Sequence, residues 1–286
     1  MTNKLFVSCI AIVLALAVAG TALAQVAARA PDRGTVQQLQ KLSTKATPKL
    51  ADGRVDFNGT WDHLGGIEFV RPQKRADGSI CLIACGPPPA GAPPAPFPPV
   101  QTDFPKYKPE FLAKVKQLSE EQVKHDTVLQ CQPPGVPRIG APGKIVQNVR
   151  EVVFLYDDVN GSFFRIIPID GRPHRKGLPA SYLGDAMGRI EGDTLIVETE
   201  NFNAETWLTD NGAFHTANLK VTERFRRRGD TIEYSAVVQD PSVLVEPWSP
   251  KPQVMWITDQ ELEESPRCDD RDLEHIVDGS HHDNPR

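Results

Sequence analysis

Three glycine turns set between runs of alternating apolar and polar residues constrain this chain more than any other feature. Val152 to Asp157 and Ser162 to Ile169 flank Asn160-Gly161. Gly188 to Glu191 and Thr194 to Thr199 flank Gly192-Asp193, and Leu219 to Arg228 and Thr231 to Gln239 flank Gly229-Asp230. Such dipeptides supply the backbone that a tight hairpin turn needs, while alternation with period two puts one face of each strand against a core. Hairpins that follow one another without intervening helices specify antiparallel sheet. Ile145 to Val149 and Val254 to Thr258 bring the count to about eight strands, enough to close an up-and-down barrel. The expected fold is all-β and mainly antiparallel, an up-and-down, lipocalin-like barrel with one or two peripheral helices; a β-sandwich is the alternative.

The rest of the chain divides by composition. Residues 1–24 read as a signal peptide: Lys4 precedes an apolar run from Leu5 to about Val18, and Ala22-Leu23-Ala24 forms a small-x-small cleavage site. A run of about 14 residues is too short for a hydrocarbon layer of roughly 30 Å. The expectation is a periplasmic or secreted protein with no membrane span after cleavage. Residues 25–54 read as a flexible leader with a weakly helical stretch at Val36 to Leu42, and 55–71 as a first β segment with a strand from Val55 to Trp61. Residues 72–108 form a proline-rich insertion, a composition that resists sheet pairing. In 109–143 a helix is expected from Pro109 to Lys124, with Phe111, Leu112, Val115 and Leu118 on one face, followed by a connecting loop. The β core spans 144–258 and a polar tail 259–286.

Export bears on the cysteines. Cleavage removes Cys9 and leaves Cys81, Cys85, Cys131 and Cys268, an even set in an oxidising compartment. Of the three possible pairings, Cys81 with Cys85 and Cys131 with Cys268 is expected. Zinc is the weaker reading, because Cys-x-x-x-Cys lacks a second ligand pair nearby, and His281-His282 sit in the polar tail. A net charge of −5 argues against a nucleic-acid partner. The one dense basic run, Arg224, Arg226, Arg227 and Arg228, reads as a solvated strand end.

Glu223 is the most informative single residue. It shares a strand face with Leu219, Val221 and Phe225, so it points inward, where an ionised carboxylate must find a partner or a role. Two readings stay open: a buried ion pair, with Arg165 as mate because it alternates with Phe163 and Ile167, or a functional acid. A second constellation lies on loops. Asp170-Gly171-Arg172-Pro173-His174 brings carboxylate, guanidinium and imidazole within five positions, and Trp207, Asp210 and His215 follow. Loop residues at a barrel mouth often build sites, although a loop histidine is more often a solvated surface residue and Asp170-Gly171 is also explained as a turn. The chain carries no Gly-x-Ser-x-Gly elbow, phosphate loop, His-Glu-x-x-His helix or Cys-x-x-Cys pair.

The functional expectation is a barrel cavity for a small organic molecule. Glu223, His174, His215 and Asp170 would be the acid–base residues of a metal-independent hydrolase, lyase or isomerase, and no cofactor is expected. Arg172, Trp207, Asp210, Tyr156 and Arg165 would contact the ligand. The alternatives are a non-catalytic carrier or a structural envelope protein.

Motifs from Cys131 to Trp248 resemble a large family of uncharacterised exported bacterial proteins. They are Cys131-Gln132-Pro133-Pro134-Gly135-Val136-Pro137-Arg138, Asp170-Gly171-Arg172-Pro173-His174, Gly188-Arg189-Ile190-Glu191-Gly192-Asp193-Thr194-Leu195, Asn201-Phe202-Asn203 with Trp207, Glu223-Arg224, Asp240-Pro241 and Pro247-Trp248. The chain departs from that pattern at Ile190, where the family commonly has Trp, and at Arg175, where it has Pro. The resemblance implies a shared scaffold and no particular reaction. Gly59-Thr60-Trp61 is also similar to the first-strand motif of lipocalins.

Overall fold

Nine strands form one antiparallel sheet that curls into a nearly closed barrel. The computed structural model describes residues 41–63, 104–158 and 160–264 and the short pairs 73–74 and 80–81, all within the unit spanning residues 40–286. The signal peptide, most of the leader with its helical stretch, most of the proline-rich insertion, and the tail beyond residue 264 lie outside the described residues. So do Cys85, Cys268 and the histidine pair of the tail. Within the proline-rich stretch, Gln73–Lys74 pairs with Ile80–Cys81.

The strands are β1 (Gly59–His63), β2 (Lys144–Gln147), β3 (Glu151–Asp158), β4 (Gly161–Pro168), β5 (Asp185–Glu191), β6 (Thr194–Glu200), β7 (Lys220–Arg228), β8 (Thr231–Gln239) and β9 (Gln253–Thr258). Their order in the sheet is β4-β3-β2-β1-β9-β8-β7-β6-β5. Every neighbour is therefore adjacent in sequence except β1 and β9, which join the first and last strands. All three expected hairpins form, with Gly161, Gly192 and Gly229 at positive φ. The ninth strand, β1, pairs with both β2 and β9 and so stitches the two halves into one sheet.

An odd number of strands has a geometric consequence. Alternating directions around nine strands leave β4 and β5 running the same way where the sheet meets itself. Parallel neighbours require a long crossover, and the connection 169–184 supplies it by returning the length of the barrel. Among the described residues no backbone ladder joins β4 to β5. Side chains close this seam instead: a Cβ on Gly188 would stand 2.7 Å from Ile167 Cγ2 and 3.0 Å from Ile169 Cγ2, so only glycine lets those side chains lie against β5.

The two barrel ends differ. One carries the tight turns at 148–150, 192–193 and 229–230. The other receives the long segments that precede β2, join β6 to β7, and join β8 to β9. These segments cross-link one another. Lys108 N donates to Val243 O, Val245 N to Lys106 O, and Tyr107 Oη to Phe214 O at 2.6 Å.

Two expected elements come out differently. The strand expected from Val55 begins only at Gly59, because side chains take up the preceding backbone. Gln147 Oε1 accepts from Phe57 N, and Asp56 Oδ1 accepts from Asn58 N. The expected helix from Pro109 to Lys124 becomes a 3-10 turn at Pro109–Phe111, then α1 (Leu112–Glu120) and α2 (Gln122–His125), broken where Glu121 leaves helical geometry. Phe111, Val115 and Leu118 pack on the core, whereas Leu112 is exposed.

Candidate functional site

Inside the barrel, Glu223 points inward from β7 and is fully buried. Its Oε2 accepts a hydrogen bond from Arg165 Nη2 at 2.6 Å and its Oε1 one from Tyr234 Oη at 3.2 Å. Arg165 also donates to Thr199 Oγ1 at 2.8 Å and to Tyr156 Oη at 3.1 Å. Burial alone would lower the Arg165 pKa, but the Glu223 carboxylate beside it reverses the effect and keeps the guanidinium charged. Burial also pushes the Tyr156 hydroxyl up to about 12 and raises Tyr234 well above its ordinary value, so both hydroxyls are neutral at any physiological pH, Tyr156 accepting from Arg165 and Tyr234 donating to Glu223. Around this pair Phe154 and Phe225 meet edge to face at 4.8 Å, and Phe225 lies 4.8 Å from Tyr234. Side chains thus fill the barrel at this level, and the ion pair is one of the things that fills it.

Arg227 continues the same inward row and is buried too, with Nε donating to Gly229 O, Nη1 donating to Asp56 O, and the guanidinium 4.9 Å from the Trp61 ring. This corrects the reading of the arginine run as solvated for Arg227 alone, since Arg224, Arg226 and Arg228 are exposed. The alternation that places Glu223 inside places Arg227 inside as well.

At the capped end, Arg138 clamps Asp126 through two bonds of 2.7 and 2.9 Å and Asp210 through two more of 2.6 and 3.1 Å. Trp207 is buried there beneath Arg138. His215 is buried as well. Its Nδ1–H donates to Thr216 O at 2.9 Å and its Nε2 accepts from Thr206 Oγ1 at 2.8 Å, while Asp240 takes the Thr216 N–H and hydroxyl. Both ring nitrogens are therefore engaged. Burial lowers the His215 pKa against the opposing pull of the Thr216 carbonyl and Asp240, which selects the neutral ring. Cys131 is disulfide-bonded.

The third region is the seam. Asp170 is held by Arg172, whose hydrogen bond brings its carboxyl down to about 2. His174 instead meets Asp185 of β5, Nδ1 to Oδ2 at 3.0 Å, and Arg175 Nε donates to the other oxygen at 2.8 Å. Burial works against the Asp185 anion, but these bonds keep its pKa below the ordinary value. Beside them a cleft of about 480 Å³ opens between β4 and β5, lined by Phe164, Ile166, Leu183 and Met187 and by Arg165, Arg172 and Arg175. Phe164 and Ile166 are 61% and 51% exposed. A larger groove of about 690 Å³ at the capped end gathers none of the expected site residues, and its charged groups are engaged, Lys220 with Glu200, Glu246 with Lys106, and Asp240 with Thr216.

The structure brings Glu223, Arg165 and Tyr156 together, and it brings Arg172 and Arg165 to the seam. No hydrogen bond or ion pair joins any two of Glu223, His174, His215 and Asp170. Asp210 and Trp207 belong to the clamp at the capped end. Sequence reasoning missed Asp185, the partner of His174, because the pairing depends on the crossover bringing residue 174 back beside β5. Among the described residues no group of three or more His, Cys, Asp or Glu side chains could hold a metal ion. Comparison with family models, curated proteins and solved structures finds no match.

Two outcomes follow from this chemistry. Replacing Glu223 by Ala strands a buried guanidinium and should cost about 3 to 5 kcal/mol in urea unfolding, whereas Arg165→Met with Glu223→Leu should recover most of that loss. A cost below about 1 kcal/mol for the single variant would contradict the pairing. His63 and His215 both have pKa values lowered by burial from 6.5, so the unfolded chain binds their protons first. Stability should therefore be intact above about pH 6.5 and fall as pH drops toward the folded values, with a shallower fall in His215→Asn; a midpoint flat between about pH 7 and pH 5 would contradict this.

Proposed function

We propose that this protein is an exported small-molecule binder whose site is the cleft at the barrel seam, not the barrel lumen. The observation that carries the reading is the pair Phe164 and Ile166, large apolar side chains standing more than half exposed on the wall of a cleft. Water against such a surface is unfavourable, and an occupant that displaces it gains about 25 cal/mol for each Å² covered. The volume lies within the usual range for small-molecule sites, roughly 300 to 1,000 Å³. Filling of the interior around the Arg165–Glu223 pair supports the same choice, since a lumen site would have to displace packed rings and a buried ion pair. Export rests on the signal-peptide pattern of residues 1–24 and fits a disulfide at Cys131, for which Cys268 is the proposed partner.

Acid–base chemistry on the ligand is the second reading, supported by His174 and Asp185. A carboxylate on Nδ1 fixes one tautomer and leaves Nε2 able to take a proton.

Phe164→Ser separates the site from the fold. The side chain is exposed, so the substitution should change stability by no more than about 0.5 kcal/mol. Small aromatic and aliphatic compounds that raise the melting temperature of the mature protein should lose that effect in the variant. Compounds that stabilise both proteins equally would place the ligand elsewhere, and a broad panel without a hit would remove the binding role.

A further inference from the structure

We infer that the seam cleft recognises an amphipathic acid, an apolar body ending in one carboxylate, an inference that rests on the cleft being the ligand site. The lining is divided by chemistry. Phe164, Ile166, Leu183 and Met187 offer apolar contact, while Arg172 and Arg175 bring two guanidinium groups to the same cleft, paired with Asp170 and Asp185 and near the carboxylate of Glu151. Each exposed arginine is already oriented. Asp170 engages Nε and Nη2 of Arg172, and Asp185 engages Nε and Nη2 of Arg175. A guanidinium has five N–H donors, so both keep donors to spare, and holding the fork in place lowers the cost of ordering it on a ligand.

Arg165, whose guanidinium is turned into the barrel against Glu223, is not among the groups that meet the ligand. A carboxylate arriving at the seam brings acceptor oxygens and charge together to the donors that Asp170 and Asp185 leave unused on Arg172 and Arg175. Arg172 and Arg175 line the same cleft as the apolar wall, so one molecule with a charged end and an apolar body meets both. A purely apolar ligand would leave the donors unmatched, and a small inorganic anion would leave Phe164 and Ile166 in water.

Calorimetric titration of the mature protein with sodium octanoate and with octanamide tests this. The two share an apolar chain and differ in the charge of the head group. Octanoate should bind at least about tenfold more tightly, and the advantage should shrink as salt rises from about 50 to about 500 mM. Arg172→Gln should bring octanoate close to octanamide and leave octanamide unchanged. Equal binding of the two by the unaltered protein overturns acid recognition but leaves the cleft as the site. Binding of neither, in a protein that retains a Phe164-sensitive ligand, also overturns the acid class alone; the absence of any Phe164-sensitive ligand overturns both readings.

Discussion

An up-and-down barrel with an odd number of strands cannot be antiparallel all the way round, and the architecture of this protein turns on that constraint. Nine alternating strands leave β4 and β5 parallel at the closure, and no ladder joins them among the described residues. The long connection 169–184 exists to serve that geometry, because β5 must start at the end of the barrel where β4 also starts. In crossing, it carries Asp170, Arg172, His174 and Arg175 along the outside of the seam and sets His174 against Asp185. The most distinctive loop of the sequence therefore owes its position to strand parity.

The buried ion pair plays a complementary part. Arg165 extends inward from β4, one wall of the seam, and reaches Glu223 on β7 across the barrel, with Thr199 of β6 accepting a further bond. Strands that share no ladder are thus tied through the interior by charge. A pair of this kind adds little net stability over an apolar filling, since desolvation consumes most of the Coulomb gain. Its value is specificity: an inward carboxylate tolerates only the register that delivers a guanidinium.

Much of the fold was legible because it is local. Asn160-Gly161, Gly192-Asp193 and Gly229-Asp230 fix three hairpins, and period-two alternation then assigns Glu223 to the interior. Arg165 as its mate followed from the same alternation on β4. The same rule applied one step further would have placed Arg227 inside, but an arginine-rich run reads as solvated when composition is weighed above periodicity. What could not be read depends on distance along the chain. The Asp185 partner of His174, the Asp126 and Asp210 partners of Arg138, and the enclosure of His215 by Thr206 and Thr216 arise from how long segments fold back. The cleft was hidden for a related reason, since finding it requires knowing that the strand at Gly59 enters the sheet and makes the count odd.

Amide hydrogen exchange, resolved strand by strand, tests the account most directly. An unladdered seam predicts that the amides of β4 and β5 that point toward each other exchange much faster than those of the β7–β8 hairpin, and that they slow when the cleft is occupied. Uniform protection around all nine strands, β4 and β5 included, would mean that the barrel is hydrogen-bonded shut, and would contradict both the seam and the site built on it.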